Sequence, residues 1–376
     1  MGWTLARLGL GRLGWLVLAL AASLAPLAGT AQQVRAEAVA SGLAHPWAVA
    51  FLEGGRFLVS EREGRLRVVE PDGRIGPPVA GVPQVASGGQ GGLLDVVLDS
   101  GFAERRTVFF CFSEPGAGGS TTALARARLS PDRARLEDVR VIFRQQPRVA
   151  SQLHFGCRIV EAPDGHLFLT LGERFTRRQD AQRLDNHLGK VVRVTKDGAA
   201  APGNPFVGRP GALPEIWSLG HRNGQGATIG PGQRLWMHEH GPQGGDEINL
   251  PEAGRNYGWP VITHGENYGG GPIGEGLTAK AGLEQPVHFW VPSIAPSGMA
   301  FLTSDRYGPA LRGNLFVGSL KFTHLARLEL ADGKVVREQR LLEGVGRVRD
   351  VRQGPDGLLY LLTDAPDGRL LRLLPR

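Results

Sequence analysis

The segment spanning residues 218–249 concentrates side chains that could bind an oxygen-rich ligand. Arg222, Asn223 and Gln225 are interspersed with glycines, and Glu239 and Glu247 follow within the same segment. Guanidinium and amide groups donate hydrogen bonds to anionic oxygens, whereas carboxylates and backbone carbonyls coordinate hard cations. This combination indicates a site for an anionic ligand, for a hard cation, or for both.

A histidine and a glutamine outside that segment are further candidates. His154 lies at the entry to a predicted inner strand, and a neutral imidazole there could accept a proton near physiological pH. A lone histidine in such a place is often structural. Gln90 lies in the glycine-rich run 88–92, which would let the backbone approach a ligand closely but is also typical of a flexible loop.

Three of the cations near the C-terminal end of the sequence are candidates for binding an anion. They are Lys321, Arg347 and Arg349. Arg347 and Arg349 flank Val348, so on a strand both side chains would point the same way. Two like charges on one face repel each other, and therefore solvent or an anion must compensate them.

The run His238-Glu239-His240 offers zinc as an alternative to a hard cation. Two histidines at i and i+2 share one face of a strand, and imidazole is a common zinc ligand. Two histidines with a glutamate between them are nevertheless a weak pattern. An oxygen-ligated cation therefore remains the main hypothesis for this segment.

Residues 1–31 have the pattern of an export signal. Arg7 and Arg12 form the basic region, residues 15–27 the apolar region, and residues 28–31 a small-residue cleavage site. The alternative is a membrane anchor, but the apolar run is shorter than the ~20 residues that a span needs. We therefore expect a mature domain at 32–376, located in a bacterial periplasm without stable membrane insertion.

The charge distribution and the cysteine content argue against a nucleic-acid-binding protein and against a CxxC metal or redox site. The formal net charge of +7 falls to +5 without Arg7 and Arg12, and the basic residues are dispersed rather than interleaved with aromatics. This distribution does not indicate a nucleic-acid partner. The two cysteines, Cys111 and Cys157, form no CxxC motif. Export permits one disulfide between them, and two buried thiols are the equally weighted alternative.

The spacing of apolar runs and turns predicts an all-β fold. The chain has 55 glycines and 26 prolines, and its short apolar runs are separated by turns such as 163–165 and 355–357, both Pro-Asp-Gly. About six such units recur, which favours a six-bladed β-propeller with four-stranded antiparallel blades. We expect the N-terminal strand, 34–41, to complete the last blade. The longer insertions, 175–188 and 264–291, are expected to carry function, and 175–188 has the most helix-like pattern.

Taken in order along the chain, these motifs resemble the soluble quinoprotein sugar dehydrogenases that use pyrroloquinoline quinone (PQQ). The resemblance runs from Gly42 to about Leu374. It rests on a joint pattern: His154, Arg222-Asn223, Gly241-Pro242, Lys321, and Arg347 with Arg349. The short loops and the sequence of residues 239–247 are more similar to the aldose sugar dehydrogenase branch than to the glucose dehydrogenases with large loops. Gly224 stands where the family commonly has proline.

The resemblance implies a role for each candidate residue. His154 would be the general base, and Arg222 would stabilise negative charge on a quinone oxygen. The other cofactor contacts would come from Asn223, Gln225, Ser293, Lys321, Arg347 and Arg349. Gly241 and Pro242 would offer backbone carbonyls to a Ca²⁺ that also binds the quinone, and Glu247 with the backbone oxygen of Tyr257 would bind a second Ca²⁺. Gln90 and Glu173 would face the sugar, and Glu173 stands where the glucose-preferring members have aspartate.

These implications give an expected function and two rivals. The expected function is oxidation of the C1 hydroxyl of an aldose to a lactone, with electrons passed to an external quinone, cytochrome or dye. No CxxCH haem motif is present in the sequence to take them. One rival is a calcium-dependent lactonase or esterase on a six-bladed propeller, which would need acidic and amide ligands on the axis. The other is a propeller that binds a sugar or a protein without catalysis.

Overall fold

Six four-stranded antiparallel sheets make up the computed structural model, which describes Met1 and residues 34–376. Each sheet is one blade, and the predicted six-bladed β-propeller is confirmed. Blades 1 to 3 comprise β2 (Pro46–Leu52), β3 (Arg56–Glu61), β4 (Arg65–Val69) and β5 (Ile75–Pro78); β6 (Leu93–Leu98), β7 (Thr107–Gly116), β8 (Gly119–Leu129) and β9 (Leu136–Arg144); and β10 (Gly156–Glu161), β11 (Leu167–Leu171), β12 (Lys190–Val194) and β13 (Ile216–Leu219).

The second half of the ring repeats this plan. Blades 4 and 5 comprise β14 (Gly224–Ile229), β15 (Leu235–Glu239), β16 (Asp246–Asn249) and β17 (His288–Trp290); and β18 (Pro296–Phe301), β19 (Leu315–Ser319), β20 (Leu325–Ala331) and β21 (Lys334–Leu341). Blade 6 comprises β22 (Val348–Gln353), β23 (Leu359–Thr363), β24 (Gly368–Pro375) and β1 (Val34–Leu43). As expected, β1 pairs with β24, from Val34 opposite Pro375 to Leu43 opposite Gly368, and so completes the last blade.

The first strand of each blade lies innermost and contacts the first strands of its two neighbours, from β2 and β6 round to β22 and back to β2. These strands and their partners are buried on both faces, which explains their continuous apolar runs; all five residues of β23 are buried. Outer strands such as β21 are mostly exposed. The loops at the ends of the inner strands are consequently held close to the propeller axis.

Tight Asp-Gly turns connect paired strands within a blade. Gly165 and Gly357 have φ of 81° and 79°, which glycine adopts readily. The preceding Asp164 and Asp356 each accept a hydrogen bond at 3.1 Å from the backbone N–H two residues later. An aspartate that bonds its own backbone in this way followed by glycine is typical of a tight turn. The Pro-Asp-Gly signal therefore marked real strand boundaries.

The two cysteines are joined in the structure by a disulfide that links β7 of blade 2 to β10 of blade 3, with a Cα–Cα distance of 5.7 Å. Among the described residues, helical structure is limited to short segments: α1 (Phe102–Arg105) and three 3₁₀ turns at Glu53–Gly55, Arg178–Gln182 and Pro231–Gln233. The helix-like insertion 175–188 thus holds a single 3₁₀ turn. No helix within the described part is long and apolar enough to cross a bilayer. The predicted export signal lies outside the described residues, apart from Met1.

Candidate active site

His154 lies in the loop that leads into β10, and its ring is almost completely buried. Its backbone N–H donates to the side-chain oxygen of Gln90 at 2.8 Å, and its Nδ1 lies 3.1 Å from Oε2 of Glu173. A carboxylate only accepts hydrogen bonds, so Nδ1 carries the hydrogen and Nε2 keeps its lone pair. The structure therefore brings His154, Gln90 and Glu173 together and leaves one imidazole nitrogen able to take a proton.

The surroundings of His154 keep its imidazole neutral. Burial lowers the pKa of His154 below its ordinary value, and the positive charge of Arg222 lowers it further. The carboxylate of Glu173 opposes both effects and raises the pKa. The imidazole is consequently in the base form at neutral pH, which is the state that a general base needs before reaction.

Arg222 lies just before β14, buried between the loop that follows β15 and an aromatic ring. Its Nη1 donates to the carbonyls of His240 at 2.9 Å and Gly241 at 2.7 Å, and its guanidinium lies 5.3 Å from the ring centre of Trp259. Its backbone N–H donates to the carboxylate of Glu239. The guanidinium is thus fixed in orientation, with a charge close enough to affect His154.

A chain of amides connects blades 3, 4 and 6 beside this arginine. Nη1 of Arg349 donates to Gln225 at 3.1 Å, and Nε2 of Gln225 lies 3.2 Å from Oδ1 of Asn223. That same Oδ1 accepts the N–H of Gly156 at 3.1 Å. The three residues predicted to bind one cofactor therefore contact one another, although 126 positions separate Asn223 from Arg349 in the sequence.

Three buried donors at this site have no hydrogen-bond acceptor within residues 34–376. They are Nε of Arg222, Nδ2 of Asn223 and Nε of Arg349. An unsatisfied buried donor costs about 1–3 kcal/mol, so three in one place need an explanation. An oxygen-rich anion that accepts these hydrogen bonds supplies one. The donor set therefore fits the carboxylates and quinone oxygens of PQQ.

Asp364 compensates the C-terminal arginines within the protein itself. Its carboxylate lies 3.3 Å from Nη2 of Arg347, 3.7 Å from Nη2 of Arg349 and 2.8 Å from Nδ1 of His45. Arg347 precedes β22 and its side chain is 50% exposed, whereas that of Arg349 is only 10% exposed. The alternation of Arg347 and Arg349 with Val348 predicted that both arginine side chains would point the same way. It did not indicate that Asp364 would lie between them and His45.

Ser293 and Lys321 are less closely tied to the centre of the site. The hydroxyl of Ser293 donates to Asp246 at 2.6 Å, and Asp246 in turn accepts the N–H of Gly241 at 2.9 Å. Lys321 is exposed, and its ammonium lies 5.2 Å from the ring centre of Phe322. The structure therefore links Ser293 to the Gly241 loop, whereas Lys321 lies on the surface beside Phe322.

Three of the four predicted calcium ligands line one small cavity beside Arg222. Gly241, Glu247 and Tyr257 contribute to its wall together with Glu239. Burial raises the pKa of Glu247 to about 8, and the negative charge of Glu239 contributes to that rise. Two adjacent acids, Glu239 buried and Glu247 half-buried, are an arrangement that a hard cation would stabilise. Pro242 is buried next to Gly241.

The same region gives no support to zinc. No group of three or more His, Cys, Asp or Glu side chains placed to hold a metal occurs in the part of the chain that the structure describes. Both ring nitrogens of His238 are buried without a partner there, and burial lowers its pKa to about 3. His240 instead contacts the carbonyl of Pro296 at 2.7 Å. A cation here would therefore depend on backbone carbonyls, as the calcium hypothesis requires.

Acids on the innermost strands are already neutralised by arginines. Asp95 of β6 and Asp350 of β22 lie 3.2 and 3.0 Å from Nη1 of Arg158 on β10, and Arg352 contacts both acids at 2.7 and 3.0 Å. All four residues except Arg352 are fully buried. Sequence reasoning missed this quartet. Because paired acids are poor ligands for an added cation, it disfavours the calcium-dependent hydrolase.

Comparison with known proteins decides the family. The sequence model of the Glucose / Sorbosone dehydrogenase family matches residues 43–372. This chain belongs to that family. The aldose sugar dehydrogenase YliI of Escherichia coli K12 is 45% identical to this dehydrogenase-family chain over 348 residues, covering 91% of it and 93% of YliI.

Solved structures agree with the family assignment. The apo form of the soluble aldose sugar dehydrogenase of Escherichia coli superposes with a TM-score of 0.88 at 44% identity, covering 91% of this Glucose / Sorbosone dehydrogenase-family chain and all of that one. The PQQ-bound aldose sugar dehydrogenase of Streptomyces coelicolor gives a TM-score of 0.75 at 31% identity, covering 92% and 99%. The resemblance stated from the motifs is thereby confirmed.

Proposed function

We propose that this protein oxidises the C1 hydroxyl of an aldose to a lactone, using PQQ and Ca²⁺. The observation that carries the proposal is the set of three unpartnered buried donors on Arg222, Asn223 and Arg349, next to a neutral His154. Related proteins are named aldose sugar dehydrogenases, and one of them was solved with PQQ bound. The names of these relatives support an aldose as the substrate.

Residues of this chain can accept the proton of the C1 hydroxyl and stabilise the charge that develops during the reaction. Nε2 of His154 accepts the proton of the C1 hydroxyl, and the carboxylate of Glu173 at Nδ1 stabilises the imidazolium that forms. Arg222 provides a fixed positive charge beside the reacting groups, positioned before the reaction begins. PQQ, when bound, supplies the two-electron acceptor for the hydride that leaves C1. An external quinone, cytochrome or dye then takes those electrons.

Calcium would be held by oxygen atoms of the loop that follows β15. The carbonyls of Gly241 and Pro242 would bind the ion that acts as a Lewis acid, and Glu247 with the carbonyl of Tyr257 would bind a second ion. The raised pKa of Glu247 supports this placement, because a cation would favour its charged form. We further propose that the mature protein, 32–376, acts in the periplasm after export.

Reconstitution tests the proposal directly. Purified apoprotein would be titrated with PQQ in the presence of Ca²⁺, recording the absorbance of PQQ and the dye-linked oxidation of D-glucose and other aldoses. We expect a saturable absorbance change and sugar-dependent dye reduction that both require PQQ. Saturable PQQ binding without oxidation of any aldose would overturn the substrate class. Absence of PQQ binding would overturn the proposed function altogether.

A further inference from the structure

Two aromatic side chains from separate insertions meet above the proposed base. Phe175, from the insertion after β11, lies with its ring centre 5.3 Å from that of His154, at an interplanar angle of 82°. Tyr268, from the insertion between β16 and β17, lies 6.5 Å from Phe175, and its hydroxyl is 3.4 Å from Nη2 of Arg222. Phe175 is 40% exposed and Tyr268 62% exposed. We call this pair the aromatic wall.

The backbone holds Phe175 in this exposed position against its conformational preference. Arg174 and Phe175 have φ of 64° and 66°, a left-handed conformation that bulky residues rarely adopt. Such strain persists only where surrounding contacts enforce it, and it is common at functional sites. An exposed phenylalanine that is merely part of a flexible loop would relax instead.

Arg174 supplies the enforcing contacts. Its guanidinium is fully buried, donates to the carbonyls of Leu153 at 3.0 Å and Ser120 at 2.9 Å, and lies 3.8 Å from the ring centre of Phe155. The N–H of Phe175 donates to the carboxylate of Glu173, which also contacts His154. One carboxylate therefore orients both the base and the aromatic ring beside it.

The geometry of the wall suits a flat ligand lying across it. A ring inserted between Phe175 and Tyr268 would need two contact distances of about 3.5 Å, or roughly 7 Å in all, which exceeds their 6.5 Å separation. The two ring planes are tilted by 34° to each other, so a ligand would contact the pair from outside rather than between the rings. The negative face of an aromatic ring attracts groups with a positive edge, such as C–H bonds next to oxygen.

We propose that the aromatic wall binds the C–H face of the aldose ring and so presents the C1 hydroxyl to His154. The inference rests on the proposed function, since it assumes an aldose substrate. Neither Phe175 nor Tyr268 was a candidate from the sequence. The wall acts on substrate affinity, whereas His154 acts on the chemical step. Substitutions in the wall should therefore change KM, whereas substitution of His154 should change kcat.

The test uses holoenzyme reconstituted with PQQ and Ca²⁺, with D-glucose as the probe and a dye as acceptor. We expect Phe175→Leu and Tyr268→Leu each to raise KM about 3- to 10-fold, while kcat changes less than twofold and PQQ affinity stays unchanged. Phe175→Tyr keeps the ring face and should retain the wild-type KM. Phe289→Leu is the matched control, because that ring is 45% exposed but stacks on His264, and its KM should not change.

A second measurement does not depend on turnover. Saturation-transfer NMR of D-glucose with apoprotein should show transfer to the sugar C–H protons that Phe175→Leu weakens and Phe175→Tyr preserves. Unchanged KM and NMR transfer in both leucine variants would refute the wall. A fall in kcat alone would also refute it, because Phe175 would then only support the His154 ring. If wild-type protein binds no PQQ, the proposed function fails, and the NMR comparison still decides whether the wall binds sugar.

Discussion

Replacing Arg349 by methionine should weaken PQQ binding more than any other change to the C-terminal cations. The side chain is buried and its Nη1 donates to Gln225, while its Nε has no acceptor within residues 34–376. Burial lowers the pKa of Arg349 to about 10, so the guanidinium is still charged at pH 7. A hydrogen bond to a charged group contributes about 1.5–3 kcal/mol, which corresponds to a rise in the dissociation constant of roughly 10- to 150-fold.

Arg347 and Arg312 provide graded controls for this change. Arg347 shares the carboxylate of Asp364 but is half exposed, so Arg347→Met should weaken binding only about two- to sixfold, in line with ~0.5–1 kcal/mol for an exposed pair. Arg312 pairs with Asp305 on the surface, and its methionine variant should bind normally. Asp364 keeps His45 and Arg347 as partners in Arg349→Met, so the fold should survive.

The assay is a PQQ titration of apoprotein at fixed Ca²⁺, with circular dichroism to check that each variant is folded. The decisive comparison is the ratio of dissociation constants between Arg349→Met and Arg347→Met. Equal affinities for folded Arg349→Met and wild type would refute the assignment of the unpartnered donors to the cofactor. The site would then have to be assigned to another ligand.

Further predictions concern the base, its partner, the metal and the disulfide. His154→Gln should lower kcat by roughly 10²–10⁴-fold with PQQ affinity nearly intact, and normal turnover would remove His154 from the mechanism. Glu173→Gln removes the group that raises the pKa of His154, so the acid limb of kcat/KM should move to lower pH than in the wild type; a pH–rate profile that shifts upward would contradict this. Chelation should prevent reconstitution with PQQ, with Ca²⁺ but not Zn²⁺ restoring it, and full activity in metal-free protein would count against the calcium sites. Because the disulfide closes a loop between residues 46 positions apart, replacing Cys111 and Cys157 by serine should lower the free energy of unfolding by about 2–4 kcal/mol in urea titrations, and an unchanged midpoint would show that the link contributes nothing to stability.

The fold could be predicted because its signals are local. Each Asp-Gly turn bonds its own backbone, as at Asp164 and Asp356, and therefore shows in the sequence whatever surrounds it. The strand 34–41 could be assigned to the last blade because a propeller otherwise leaves an exposed edge. The observed β1, Val34–Leu43, extends two residues further.

The sequence could suggest site residues only where the type of residue limits its chemistry, and it could not show contacts that depend on the fold. His154, Arg222 and Arg349 have side chains whose chemistry limits their use. Asp364 could not be assigned, because an acid after a strand has no distinguishing neighbours until the ring brings His45 beside it. Phe175 and Tyr268 lie more than ninety positions apart in two insertions of irregular structure, so their contact could not be read from the sequence.

The pairing of β1 with β24 joins the N-terminal strand of the propeller to its C-terminal strand, and this has a consequence for the order in which the ring forms. Blade 6 can form only after the last strand has been synthesised, because Val34 pairs with Pro375. Arg349 belongs to that blade and reaches across to Gln225 of blade 4. The proposed cofactor site, to which these blades contribute, is therefore incomplete in any nascent chain. The ligand must therefore bind after the propeller ring has closed. A ligand that binds only the closed ring in turn stabilises the ring against unfolding.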